Sequence, residues 1–204
     1  MFPIFFGALV GFFVSLMGWQ LNLIVLHRGI RKGRSSAFMT GAGAALSDFI
    51  LLLVGFSGAR SFLKHFPFWN QLKWAGIAML FLMALKILFH KPVLLAHEPA
   101  VKNRRLASSF LIGLIMVLGN PAMAFLWIMA SAYLLAHFPE AHAFLFQMIF
   151  SFAFLAGALL WFLILAVNIL PTVKTWSEGT LHLLSRLSAG LLLMALFFLV
   201  FKKF

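Results

Sequence analysis

Long apolar runs, separated by short connections in which the basic residues gather, constrain this chain more than any other feature. A bilayer's hydrocarbon core is about 30 Å thick, and a helix needs roughly 20 apolar residues to cross it. The 204 residues supply about six such spans with short loops between them. Of the chain's residues, 64% are hydrophobic and 10% charged, against roughly 25% charged in a soluble domain. No soluble globule of this size hides that much apolar surface. The chain is therefore read as an all-α integral membrane protein, a single transmembrane domain over 1–204. Phe occurs 26 times and Tyr once, which favours lipid-facing and helix-packing surfaces over polar handles. Cys is absent, excluding disulfides, thiolate metal sites and thiol chemistry. A net charge of +12 would point to nucleic acid in a soluble protein; here it sits between spans, where topology and anionic lipid account for it. No nucleic-acid partner is expected.

The first run extends from Met1 to Leu26 and is read as a retained helix, since Met1 to Val10 lacks a basic flank and no small-residue cleavage site follows. It breaks at the basic turn His27 to Arg34. A second span follows from about Ala37 to Ala59, then a surface connection from Arg60 to Gln71, and a third span from about Leu72 to Phe89. Trp69 and Trp74 suit its interface. The connection Lys91 to Arg105, with Pro92 and Pro99, divides three spans from three. The fourth span, about Leu106 to Ala136, contains Gly119, Asn120 and Pro121; Pro lacks a backbone donor and clashes one turn back, so this helix should break. After a short turn at His137 to Glu140, the fifth span covers about Ala143 to Leu170, ending at Pro171, and the sixth about Leu181 to Phe201.

Two three-span halves enter the membrane from opposite sides, the first repeat over about 1–90, the basic loop over 91–105 and the second repeat over about 106–204. Their first helices share an outline: Phe6, Gly7, Gly11 and Gly18, Trp19, Gln20 parallel Phe110, Gly113 and Gly119, Asn120, Pro121. Matching Gly or Pro interruptions in two halves are the sequence sign of inverted repeats with broken helices around a midplane site. The expected architecture is thus about six transmembrane helices as two inverted three-helix repeats, with the first and fourth helices broken. Most Lys and Arg fall on one side, including Arg28, Arg31, Lys32, Arg34, Lys102, Arg104 and Arg105, which predicts both termini outside the cytoplasm.

Of the acids, Glu98, Glu140 and Glu178 fall in loops or helix ends. Asp48 lies near the centre of the second span, where a carboxylate costs about 2.5 to 3.5 kcal/mol to insert. The functional reading is that Asp48 binds a proton, a cation or a substrate ammonium group in an internal cavity. The structural reading is a hydrogen-bonded Asp that ties helices together, with Ser47, Gln20 or Asn120 as partner. Asn120 and Pro121 either kink a packed helix or free backbone groups to line a cavity, and with the matching break at Gly18, Gln20 and Asn22 become cavity residues. Gly18 and Gly119 are hinge candidates. Gly41 and Gly43, with Ala37, Ala44, Ala45 and Ser47, form a narrow face for close helix approach. Trp127, Trp161 and Asn168 could line a path, although a Trp in a span more often packs. The histidines are placed at loops or helix ends and read as interfacial. No enzyme constellation, cofactor site or metal site emerges.

The stretch Arg28, Gly29, Ile30, Arg31, Lys32, Gly33, Arg34, followed by Gly41, Gly43 and Ala44 to Asp48, resembles the lysine exporter (LysE or RhtB type) family of bacterial amino-acid exporters. In that family a basic glycine loop precedes a Gly-rich helix ending in a Gly-Asp pair, and Asn120 with Pro121 matches the family's Asn-Pro in the fourth span. The resemblance covers nearly the whole chain. Two departures stand out: Gly18, Trp19, Gln20 occupy the place of the family's Pro-Gly-Pro, and Ser47 replaces the Gly before the Asp. The resemblance implies export of amino acids or related metabolites across the bacterial cytoplasmic membrane, driven by protons, often as a homodimer. The implied partners are a small-molecule substrate, protons and membrane lipid. Competing readings are a divalent-cation exporter using Asp48 with Asn and backbone oxygens, and a lipid-handling membrane protein suggested by the Phe excess.

Overall fold

The computed structural model describes residues 2–65, 106–173 and 178–201, with scattered positions between 74 and 89. Among the described residues the regular structure is entirely helical. The helices are α1 (Phe2–Met17), α2 (Trp19–Lys32), α3 (Arg34–His65), α4 (Leu106–Leu118), α5 (Pro121–His137), α6 (Phe144–Ile164) and α7 (Glu178–Phe201). A 3-10 turn, Pro139–His142, joins α5 to α6, and α6 continues through a π turn, Leu165–Ile169, into a last turn, Leu170–Val173.

Helix length decides which of these cross a membrane alone. The segments Arg34–Gly58 of α3 and Phe144–Val173 are each long and apolar enough. The 16 residues of α1 reach only about 24 Å at 1.5 Å per residue, short of the roughly 30 Å of hydrocarbon. It qualifies only together with α2, across a bend of 73°, as α4 does with α5 across 67°. The described residues therefore hold up to four crossings, and α7 covers the sixth expected span. The third expected span, apart from scattered positions, and the connection 91–105 lie outside the described residues.

Both expected breaks are present, and each has a local cause. Gly18 leaves the helical region at φ −69°, ψ 57°. At the second break Asn120 is extended, its Oδ1 accepts from the Ala122 amide at 3.0 Å, and Pro121 occupies the first helical position, where no N–H is required.

Three boundaries differ from the sequence reading. The basic turn shrinks to Gly33, because Arg31 and Lys32 complete the last turn of α2, where straight-chain cations favour helix and complement its C-terminal dipole. Gly33 has φ 91°, a conformation that a Cβ penalises, and it alone reverses the chain into α3. Helix α3 also runs on to His65, through residues read as a surface connection. Pro171 does not end the fifth span: the π turn before it rearranges the carbonyl acceptors where the imide offers no N–H.

Helix α3 is the centre of the packing, touching α2, α4, α5 and α6, while α1 lies along α6. Where Gly41 meets Phe162 and Phe56 meets Phe150, rising numbers on α3 face falling numbers on α6, so these two run antiparallel. Two crossings bring backbones into contact. A Cβ on Gly11 would collide with the Phe154 carbonyl and one on Gly157 with the Ala8 carbonyl. Between α3 and α4, a Cβ on Gly113 would collide with the Thr40 carbonyl and one on Gly43 with the Phe110 carbonyl. Each crossing is reciprocal, a glycine on each helix receiving the other's carbonyl. The chain separation from Gly11 to Gly113 equals that from Ala8 to Phe110, and that from Gly43 to Gly157 equals that from Thr40 to Phe154. Such contact without side chains is how small residues hold helices together in lipid.

The core between these helices is aromatic and aliphatic: Phe56, Phe150, Phe154, Phe162, Trp127 and Leu52 are buried, while Phe5, Phe144 and Phe152 face outward. Outward phenylalanines suit a hydrocarbon surround.

Candidate functional site

Adjacent residues on α3 stand about 100° apart, so its small polar segment serves several neighbours. The Ser47 hydroxyl donates toward the Leu114 carbonyl of α4 at 2.8 Å, with its own Gly43 carbonyl 3.1 Å away. Asp48 points to α5, where the indole Nε1 of Trp127 donates to Oδ1 at 2.7 Å. Both side chains are inside the bundle, Asp48 3% and Trp127 2% exposed. Among the described residues no other hydrogen bond and no ion pair reaches Asp48, so Oδ2 is open. A carboxylate at this depth is costly, and a charge-assisted bond of this length offsets part of the cost.

The approach of α5 that makes this bond possible depends on Gly55. A Cβ there would come within 2.8 Å of the Trp127 carbonyl and 2.5 Å of Ser131 Oγ. Ser131 in turn donates to the Leu52 carbonyl at 3.3 Å. With α5 held this close, the indole reaches back along α3 to Asp48, its ring edge-on to Phe154 at 4.8 Å.

Asn22 works at the first break. Its Nδ2 donates to the carbonyls of Ser15 at 3.1 Å and Leu16 at 3.0 Å, groups that the interrupted helix leaves without partners. Its Oδ1 accepts from Trp161 Nε1 of α6 at 3.1 Å. Asn22 is thus committed to the break and to α6. Asn120 is half-buried with Oδ1 engaged in capping, and Pro121 is exposed. Neither is hydrogen-bonded to Asp48. The Gln20 side chain lies outside the described residues; its backbone is in the first turn of α2.

The glycines divide their work. Gly41 lies against the Phe162 ring of α6 and Gly43 against α4, so the narrow face of the sequence reading serves two partners from opposite sides of α3. Gly119 is exposed at the second break. Asn168 faces outward on the π turn. His27, read as a loop residue, is inside α2 because that helix runs on.

The partner of Asp48 was not among the candidates taken from sequence. The signal available is chemical: an indole N–H buried in a span needs an acceptor, and the chain has one carboxylate at that depth. The same argument leads from Trp161 to Asn22. In both bonds a tryptophan of the chain's second half holds a polar side chain of its first half.

Membrane-length helices, two bent helix pairs and a carboxylate buried between α3 and α5 define a multi-pass membrane protein. The chain belongs to the LysE type translocator family, whose model matches residues 12–201. No curated protein matches it. No solved structure matches it either.

Proposed function

We propose that this transporter exports amino acids or related small metabolites across the bacterial cytoplasmic membrane in exchange for protons, with Asp48 as the group on which cargo and proton alternate. The observation that carries this reading is the Asp48 carboxylate, buried on α3 with one oxygen held by Trp127 and the other open. An intramembrane carboxylate is by default functional, and a single negative charge takes a proton or an ammonium group in turn. The two reciprocal glycine crossings, with their equal spacings, support an inverted repeat in which one half rocks against the other. The basic α2–α3 turn lies on the cytoplasmic side in this reading, with both termini outside.

The test is uptake by everted vesicles energised with an inwardly acid gradient. Wild-type vesicles accumulate labelled amino acid, and Asp48→Asn vesicles do not, although the variant protein purifies as a folded species with an unchanged melting temperature. Equal uptake by the two would remove Asp48 from the mechanism.

A further inference from the structure

The Ser151 hydroxyl of α6 is fully buried and has no hydrogen-bond partner among the described residues. Helical serines and threonines usually bond to the carbonyl four residues back, as Ser36, Thr40, Ser47 and Ser57 do here. Ser151 does not, so its hydroxyl is turned elsewhere. An unmet buried hydroxyl is destabilising and calls for an explanation.

Its position supplies one. Ser151 and Asp48 each stand one residue before a phenylalanine, and those two rings, Phe152 and Phe49, touch at 5.1 Å between centroids. One step back along a helix turns a side chain by about 100°. Because α3 and α6 run antiparallel, the step turns Asp48 and Ser151 in mirrored senses, onto the same side of the interface. That side is the interior: Phe152 is 59% exposed, whereas Asp48 and Ser151 are buried. Phe154, the next turn of α6 after Ser151, carries the Trp127 ring that holds Asp48.

We propose that Ser151 is a second ligand of the Asp48 site, its Oγ accepting from the same primary ammonium group that Asp48 Oδ2 binds. The inference rests on the function proposed above and narrows the cargo to molecules bearing a protonated primary amine. An ammonium has three N–H donors, enough for a carboxylate oxygen and a hydroxyl, whereas a trimethylated nitrogen has none.

Full-length protein in proteoliposomes is assayed with each of the twenty common amino acids, and the one showing the largest uptake lost in Asp48→Asn becomes the probe. Ser151→Ala is expected to raise KM for that probe about tenfold with Vmax within twofold, and the N-trimethylated probe not to compete. The alanine variant melts at or above the wild-type temperature, because it removes an unmet polar group, so a folding failure does not obscure the result. An unchanged KM in Ser151→Ala, with Asp48→Asn still inactive, overturns this inference alone. Competition by the trimethylated probe overturns it as well. If no amino acid shows uptake that depends on Asp48, both this inference and the function beneath it fall.

Discussion

Trp127 and Asp48, 79 positions apart in the chain, meet inside the bundle with the indole Nε1 2.7 Å from carboxylate Oδ1. The bond joins α3 to α5 and fixes which oxygen of the carboxylate remains open. A hydrogen bond to a charged group contributes about 1.5 to 3 kcal/mol, and losing one partner strands the other. Trp127→Phe keeps the ring against Phe154 and removes only the donor. It should destabilise the protein by about that amount, and much less in an Asp48→Leu background, where no acceptor is left for the indole, if the two act through this bond. Thermal melts of the four proteins in detergent complete the cycle. Strict additivity would show that the indole and the carboxylate do not interact.

The reciprocal glycine crossings make a second prediction. At Gly113 the obstacle is the Thr40 carbonyl, and backbone yields less readily than a side chain. Gly113→Val should therefore lie at or beyond the upper end of overpacking costs, about 3 kcal/mol, and lower the yield of monodisperse protein. Gly58→Val is the control, since nothing lies within 4 Å of a Cβ there. A Gly113→Val protein as stable as the control would mean that α3 and α4 are not in backbone contact.

Asn22 predicts a loss of a different kind. Asn22→Leu preserves approximate volume but leaves the Ser15 and Leu16 carbonyls and the Trp161 N–H without their partners. At about 1 to 3 kcal/mol for each unmet buried group, the effect should exceed that of Asn120→Ala, which removes one cap worth about 1 kcal/mol. Comparing the two melting temperatures decides the matter. Asn120→Ala as damaging as Asn22→Leu would argue against the clamp at the first break.

What could be read from sequence was whatever local chemistry decides. A lone carboxylate in an apolar run marks Asp48 because lipid offers it no solvation, and an imide without N–H marks the break at Pro121 wherever the neighbouring helices lie. Gly18 was legible by its parallel with that break. Trp127 was not, because its role depends on a partner 79 positions away and its side chain reads as apolar in a pattern. Gly55 escaped for the same reason: only the approach of α5 gives it meaning. Asn22 was visible as a polar residue, but its engagement with the carbonyls of the break required the path of the chain. Pro171 shows the reverse failure, a sound local rule overridden by a π turn that periodicity does not reveal.

Gly33 carries the last prediction. It joins α2 to α3 at φ 91° and ψ 170°, a region open in practice to glycine alone. Its amide donates to the Gly29 carbonyl at 2.8 Å and its carbonyl accepts from Ser36 at 3.0 Å, so the turn is pinned from both sides and cannot relax into another conformation cheaply. Gly33→Ala should cost about 1 to 3 kcal/mol. The loss should appear as a lower melting temperature and as faster proteolysis between Lys32 and Arg34, where a basic cleavage site lies beside the strained residue. Transport per folded molecule should hold within twofold, because the turn touches neither Asp48 nor its tryptophan. Loss of transport at full stability would instead mean that the basic turn takes a direct part in moving cargo.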